Sequence, residues 1–366
     1  TAYRLPPTAY RLPPTPCYTL PMLPLEGILV LDFSRVLAGP YCAMMLGDLG
    51  ADVVKVESPQ GDDTRRWGPP YIGTESAYYL CCNRNKRGIV LDLSLPHDRD
   101  IARQLAHHAH ILIENFRVGT MERWDLGYDN LSPQNPRLVY CGITGYGRTG
   151  PDAHLPGYDA VIQAVGGLMS ITGDPNGPPQ KVGVAIADIT AGMYALSAIL
   201  AALRVAEQTG QGQRIDLSLF DTQLAWLANV ASNTLLTNAT PTRHGNAHPN
   251  IVPYGTFPTA DAYITIAVGN DTQFTRFSGA ISLSPLAHDP LYTTNAARVP
   301  NRHTLIPLLN THFATQPTAH WLPLLRAAEI PSGPINTVPQ ALHSPQSQAR
   351  NMIWQIDHPP PRPPPP

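Results

Sequence analysis

A series of short apolar runs rich in β-branched residues, separated by helix-like stretches, constrains this chain more than any other feature. GILVLDF (27–33), ADVVKVE (51–57), RGIVLDL (87–93), HILIEN (110–115) and RLVYCGITGYG (137–147) have the length and composition of buried strands. YCAMMLGDLG (41–50) reads as a helix ending in glycine, and a second helix is expected over 97–109. Strands that alternate with helices imply a parallel sheet, so the expected class is α/β with a Rossmann-like large domain. Two apolar, small-residue helices follow over 158–171 and 189–207. QRIDLSLF (213–220) is a further strand running into the helix DTQLAWLANVASNTLL.

After about residue 238 the texture changes. PTRHGNAHPNIVPYGTF reads as loop, AYITIAVG (262–269) as a strand and NDTQFTRFSGAI as a polar helix. The expected organisation is a large domain over 25–238 and a smaller α+β domain over 239–330. The turn after the first strand is SRVLAGP rather than GxGxxG, which disfavours a dinucleotide-dependent dehydrogenase. Of the 40 prolines, seven lie in residues 1–24 and seven in 359–366, where no core can be built. The tandem TAYRLPPTAYRLPPT, with Arg4 and Arg11 and no acid before Glu26, resembles an organellar presequence or an artefact of gene assembly.

Net charge is −2 with no long basic run, so neither nucleic acid nor an acidic membrane is an expected partner, and a small molecule is. The five cysteines show no CxxC spacing, which argues against a zinc site or a disulfide framework and fits a reducing compartment. No apolar run reaches the roughly 18 residues needed to span a bilayer, so a soluble protein is expected. The compartment read from this is cytoplasmic, or the mitochondrial matrix if the N-terminus is a presequence remnant.

KVGVAIADITAG (181–192) places one carboxylate, Asp188, in an apolar run, where an unpaired charge is expensive. One reading makes Asp188 the N-cap of the following helix. The other makes it functional: Gly183, Ala187 and Gly192 clear space around it, and the glycine-rich loop TGDPNGPP (172–179) precedes it. GYD (157–159), GNAHP (245–249) and GND (269–271) are turns that together point to loops converging on a ligand. His248 has no metal-ligand spacing and reads as structural; Cys81-Cys82 reads as buried packing. NRNKRG (83–88) and Arg123 are either phosphate-neutralising groups or solvated surface.

Taken in order, LEGILVLDFSRVLAGPYCAMMLGDLGADVVKVE, GDDTRRWGPP, ESAYYLCCNRNKRGIVLDL, ENFRVGTMERWDLGYDNL, GITGYGRTGP, GYDAVIQAVGGLMSITG and KVGVAIADITAGMYA closely resemble the class III CoA-transferases. That family includes formyl-CoA transferase, carnitine CoA-transferase and the α-methylacyl-CoA racemases. DDTRRWGPP, GTESAYYL, NRNK and HPNIVPY most resemble its succinyl-CoA:glutarate (dicarboxylate) group. The resemblance implies that Asp188 is a nucleophile, forming an acyl anhydride and then an aspartyl-CoA thioester, with acyl-CoA and a carboxylic acid as substrates and no permanently bound cofactor. It implies CoA contacts at Val36, Ala38, Lys86, Asn115, Phe116 and Arg123, and an acyl pocket at Trp67. HGNAHP (244–249), with Gly245 and Asn246, is the candidate for the glycine loop that supplies oxyanion donors.

Arg65 and Arg66 are either surface charges or partners for a distal carboxylate. The implied fold is an interlocked homodimer whose residues 331–358 return to the large domain. The sequence departs from the family after DHPPPR, where the expected last tens of residues are replaced by proline, leaving an inactive truncated member as one alternative. Another is a 2-methylacyl-CoA racemase, whose GHD histidine is here Tyr158. A phenol is a poor base at neutral pH, which favours the transferase.

Overall fold

The computed structural model describes residues 23–355. The expectations for the proline-rich stretches outside that range lie outside the described residues. Six strands form one parallel sheet: β1 (Leu29–Asp32), β2 (Asp52–Glu57), β3 (Lys86–Val90), β4 (Ile111–Glu114), β5 (Val139–Thr144) and β6 (Arg214–Ser218). Their spatial order is β3-β2-β1-β4-β5-β6. The β4 run ILIE is buried at every position because helices cover both faces of a parallel sheet. Chain order reverses between β1 and β4, and such a switch point opens a crevice at the carboxyl ends of the strands. Ser34 leaves β1 there and Asn115 leaves β4.

Helices α1 (Ala38–Asp48), α2 (Ala77–Cys82), α3 (Pro96–His108), α4 (Thr120–Arg123) and α5 (Asp159–Val165) connect these strands and lead to α6 (Ile186–Thr209). The buried face of α6 is a stripe of small residues, Ala187, Ala191, Ala195, Ala202 and Ala206, with Ile199 and Leu203. It packs so closely on α1 that a Cβ at Gly192 would stand 2.7 Å from the Ala38 carbonyl oxygen, which explains the glycine. The expectation that no segment is long enough to span a bilayer is corrected here. The 24 residues of α6, at a mean hydropathy of 1.7, pass that test by length and composition, while half of the apolar stretch is buried inside the protein. Its interspersed Gly, Ser and Thr hid that length when only uninterrupted apolar runs were sought.

The expected 158–171 helix is broken at Gly166-Gly167, where Gly167 has φ +85, and resumes only over Leu168–Ile171. The expected 221–236 helix is two, Leu219–Trp226 and Ala228–Thr237, with Ala228 at φ +41 between them.

A second compact unit comprises Ser170–Gln180 and Pro241–Gln355. Its antiparallel sheet joins β7 (Tyr254–Pro258), β8 (Tyr263–Ala267) and β9 (Ser332–Pro334) in the order β9-β8-β7. Phe257, Ile264, Ile266, Phe274, Phe277, Phe313 and Trp321 form its core. β7 lies in a segment expected to be loop; it is an edge strand, a position that tolerates the flanking prolines. β9 is paired with β8, and the residues up to Gln355 cluster with this unit. Asn270 of GND caps the helix Asp271–Ala280 by accepting from the Gln273 N–H, a structural use of that cluster.

Candidate active site

Asp188 is not an N-cap. Helix α6 begins at Ile186, after Ala185, and no side chain of its own caps it. Asp188 therefore sits within the first turn, as its third residue, and the cap comes from outside: Oδ1 of Asp159 accepts from the Ala187 N–H at 2.7 Å and the Asp188 N–H at 3.4 Å. Asp159 is buried at the start of α5, and its Oδ2 accepts from Gln163 Nε2 at 2.7 Å, one helical turn along. Gln163 Oε1 in turn accepts from the Val182 N–H at 2.9 Å, tying down the chain that enters α6.

With Asp159 answering the helix amides, the Asp188 carboxylate receives no hydrogen bond and no cation among the described residues. Burial, and then the neighbouring Asp159 charge, push its pKa from 3.8 up to about 7. A poorly solvated, basic carboxylate is a better nucleophile than an ordinary one. Glycines make the approach possible: a Cβ at Gly145 would stand 2.7 Å from Gly157 Cα.

Asp188 opens into a cavity of about 230 Å3 whose lining includes Val36, Ala38, Asn115, Phe116 and Tyr158. Arg35, Arg117 and His154 line it as well and escaped the sequence reading, since isolated basic residues in loops carry no local signal. A neighbouring cavity of about 250 Å3 is walled by Phe33, Leu91, Leu93 and Trp124 and shares Arg35 and Phe116 with the first.

Several expected ligand residues have other uses. Lys86 is buried, its Nζ held by Asp32 Oδ2 at 3.0 Å, the Pro40 carbonyl at 2.8 Å and Asn83 Oδ1 at 2.9 Å, so it is no surface phosphate cation. The Arg65 guanidinium is engaged by Glu57, Glu75 and the Tyr79 hydroxyl, which leaves it unavailable for a substrate carboxylate. Arg66 is exposed beside Asp63 at 3.6 Å. Arg123 is exposed, bonds Thr120 Oγ1 at 3.0 Å, and lines neither cavity.

Trp67 lines neither cavity and packs edge-on against Tyr78 at 5.2 Å. The Tyr78 phenol is close enough to Asp188 that, after burial, that carboxylate is the next cause of its raised pKa. Cys82 is buried as expected, whereas Cys81 at the end of α2 is exposed. In the second unit, Gly245 has φ +58 and its N–H donates to the Gly173 carbonyl at 3.1 Å, so that amide is committed within the unit. Asn246 lies on the same loop, its carbonyl oxygen 3.2 Å from a Cβ placed on Gly255. His248 Nδ1 accepts from the Asn250 N–H at 3.0 Å, consistent with a structural histidine.

Comparison with known proteins gives one answer. The profile of CoA-transferase family III matches residues 25–365. Succinate–glutarate CoA-transferase of Agrobacterium fabrum is 45% identical, over 91% of this chain and 85% of its own length. The human succinyl-CoA:glutarate CoA-transferase is 44% identical, over 92% and 77% respectively. Among solved structures, a CAIB/BAIF family protein from Brucella suis superimposes with a TM-score of 0.81 at 46% identity, covering 90% of this chain and 89% of that one.

Proposed function

The chain belongs to CoA-transferase family III, and we propose that it moves CoA from succinyl-CoA, or a similar acyl donor, to a free dicarboxylic acid through covalent intermediates on Asp188. An Asp188 oxygen attacks the thioester carbonyl; the C–S bond breaks, leaving a mixed anhydride and the CoA thiolate. The thiolate attacks the Asp188 carbonyl, releasing the donor acid and leaving an aspartyl-CoA thioester. The incoming carboxylate repeats the sequence in reverse, departs as the new CoA ester and frees Asp188. Each step exchanges one activated acyl bond for another, so no step is steeply uphill.

The observation that carries this reading is Asp188 itself: a basic carboxylate without a partner among the described residues, on the wall of a cavity. Two adjoining cavities that share Arg35 and Phe116 fit a ligand with a nucleotide end and a thiol end. Arg35 and Arg117 give the Asp188 cavity positive charge, which suits an anionic acyl group. The names of the relatives support the dicarboxylate class. The sheet order supports a Rossmann-like fold for the larger unit. Exposed Leu235 and Leu236 support burial against a second copy, and the interlocked homodimer is proposed on the resemblance; light scattering tests it.

The test of the reaction is to incubate the protein with succinyl-CoA and a panel of carboxylates, identify new CoA esters by mass, and trap with hydroxylamine. A hydroxamate at Asp188 is expected. CoA transfer with the label on another residue refutes the assignment.

A further inference from the structure

The stretch Ser34–Val36 is held in a way no regular element explains. Its backbone polar groups are met by side chains, one from Asp32 just upstream and the rest from distant parts of the larger unit. The Ser34 N–H donates to Asp32 Oδ1 at 2.9 Å and its carbonyl accepts from Lys55 Nζ at 2.8 Å. Both groups of Arg35 go to one side chain: its N–H donates to Asn115 Oδ1 at 2.8 Å and its carbonyl accepts from Asn115 Nδ2 at 2.7 Å. The Val36 N–H donates to Asp62 Oδ1 at 3.4 Å, and its carbonyl faces Cys82 Sγ at 3.7 Å.

The conformation so enforced is strained, because Val36 has φ +69, a region that β-branched residues all but avoid. Strain of this kind persists only where the surroundings over-determine it, and it collects where geometry is used. What the stretch presents is the Arg35 side chain, lying over the Phe116 ring at 5.5 Å and lining both cavities, with the exposed Asp63 carboxylate 3.4 Å from its Nη1 as a surface counter-ion that a phosphate would displace. With Lys86 buried and Arg123 outside both cavities, Arg35 is the guanidinium at their junction.

We infer that Asn115 is a positioning residue that acts through the strained Arg35–Val36 step to hold the Arg35 guanidinium where the phosphates of the ligand pass between the two cavities. This rests on the proposal that CoA occupies them. Asn115 does this with both ends of its amide already spent on Arg35, so its effect on the ligand is indirect. Val36 pays in strain for what Arg35 gains in placement.

Calorimetric titration with CoA at two salt concentrations, on the wild type, Arg35→Ala, Asn115→Ala and the double variant, tests the inference alongside melting curves for Val36→Gly. Each single variant should weaken CoA about tenfold, the worth of a charge-assisted hydrogen bond, and flatten the salt dependence. The double variant should be no weaker than the worse single one. Val36→Gly should melt above the wild type, because relief of strain outweighs the added freedom of the unfolded chain, and yet bind CoA less well. A merely structural Asn115 would lower the melting point without moving the salt dependence.

Unchanged affinity in Asn115→Ala, additive losses, or a Val36→Gly that melts lower each overturns the inference while leaving the functional reading intact. If Asn115→Ala does not fold, the Val36→Gly arm decides alone. A wild type that does not bind CoA overturns the functional reading and this inference with it.

Discussion

Replacing the proposed nucleophile should make the protein more stable, and by an amount that depends on pH. Asp188 titrates at about 7 in the folded protein against 3.8 in an ordinary setting. At about 1.4 kcal/mol for each tenfold change in proton affinity, ionising it in place costs on the order of 4 kcal/mol, and residual solvation brings this to about 2–4 kcal/mol. The sign follows from proton counts. Between pH 4 and 7 the folded state holds a proton that the unfolded state has released, so stability falls as pH rises through that window. Above pH 7 the full penalty is present; below pH 4 both states are protonated and none remains.

Asp188→Asn keeps the shape and removes the charge. It should therefore match the wild type near pH 4, gain progressively to pH 7 and hold a constant advantage of about 2–4 kcal/mol beyond it, with CoA transfer abolished. Urea unfolding of both proteins from pH 5 to 8.5, followed by tryptophan fluorescence, measures the difference. A difference independent of pH, or a variant less stable at pH 8, would refute the claim that this carboxylate is held against burial and a like charge.

Asp159→Asn should lower the midpoint of the pH–rate profile relative to the wild type, because Asp188 loses its charged neighbour. Weakening the external cap of α6 should also cost about 1 kcal/mol in urea unfolding. Lys86→Met leaves Asp32 buried with Ser34 donating to it but Lys55 as its remaining cation among the described residues, and should cost about 3–5 kcal/mol by the same measurement. In heavy water the wild type should not exchange the α-proton of a 2-methylacyl-CoA, since Tyr158 supplies no suitable base beside Asp188; proton NMR follows the signal. Loss at a rate comparable to acyl transfer would restore the racemase reading.

The parallel sheet was legible because its central strands are buried on both faces, and runs such as ILIE and VYCGIT have no other comfortable place in a soluble chain. The start of α6 was not, for a physical reason. Capping rules are local, and an aspartate before an apolar helix is the usual cap. Here the cap is Asp159, far back in the sequence, and only the three-dimensional fold brings it to the Ala187 amide. The one trace of it in the chain is Asp159 four residues before Gln163, a spacing that lets the two side chains meet on a helix.

The cations misled for a related reason. NRNKRG reads as either phosphate-neutralising or solvated, both of which put its charges outside, yet Lys86 turns inward where its neighbours Arg84 and Arg87 pair at the surface with Asp48 and Asp52. Lys55 did carry a signal, being a charge in the middle of the strand DVVKVE, where an apolar residue would be expected unless a partner waits inside. Its partner is Asp62 at 3.0 Å, and both are buried. Stability does not account for such pairs, since apolar residues of the same volume commonly do as well or better. Their geometry accounts for them: Lys55 grips the carbonyl of Ser34 and Lys86 that of Pro40, one on each side of Val36 and Ala38. An apolar core could fill the same space, but it could not hold two carbonyls in place on either side of a strained residue.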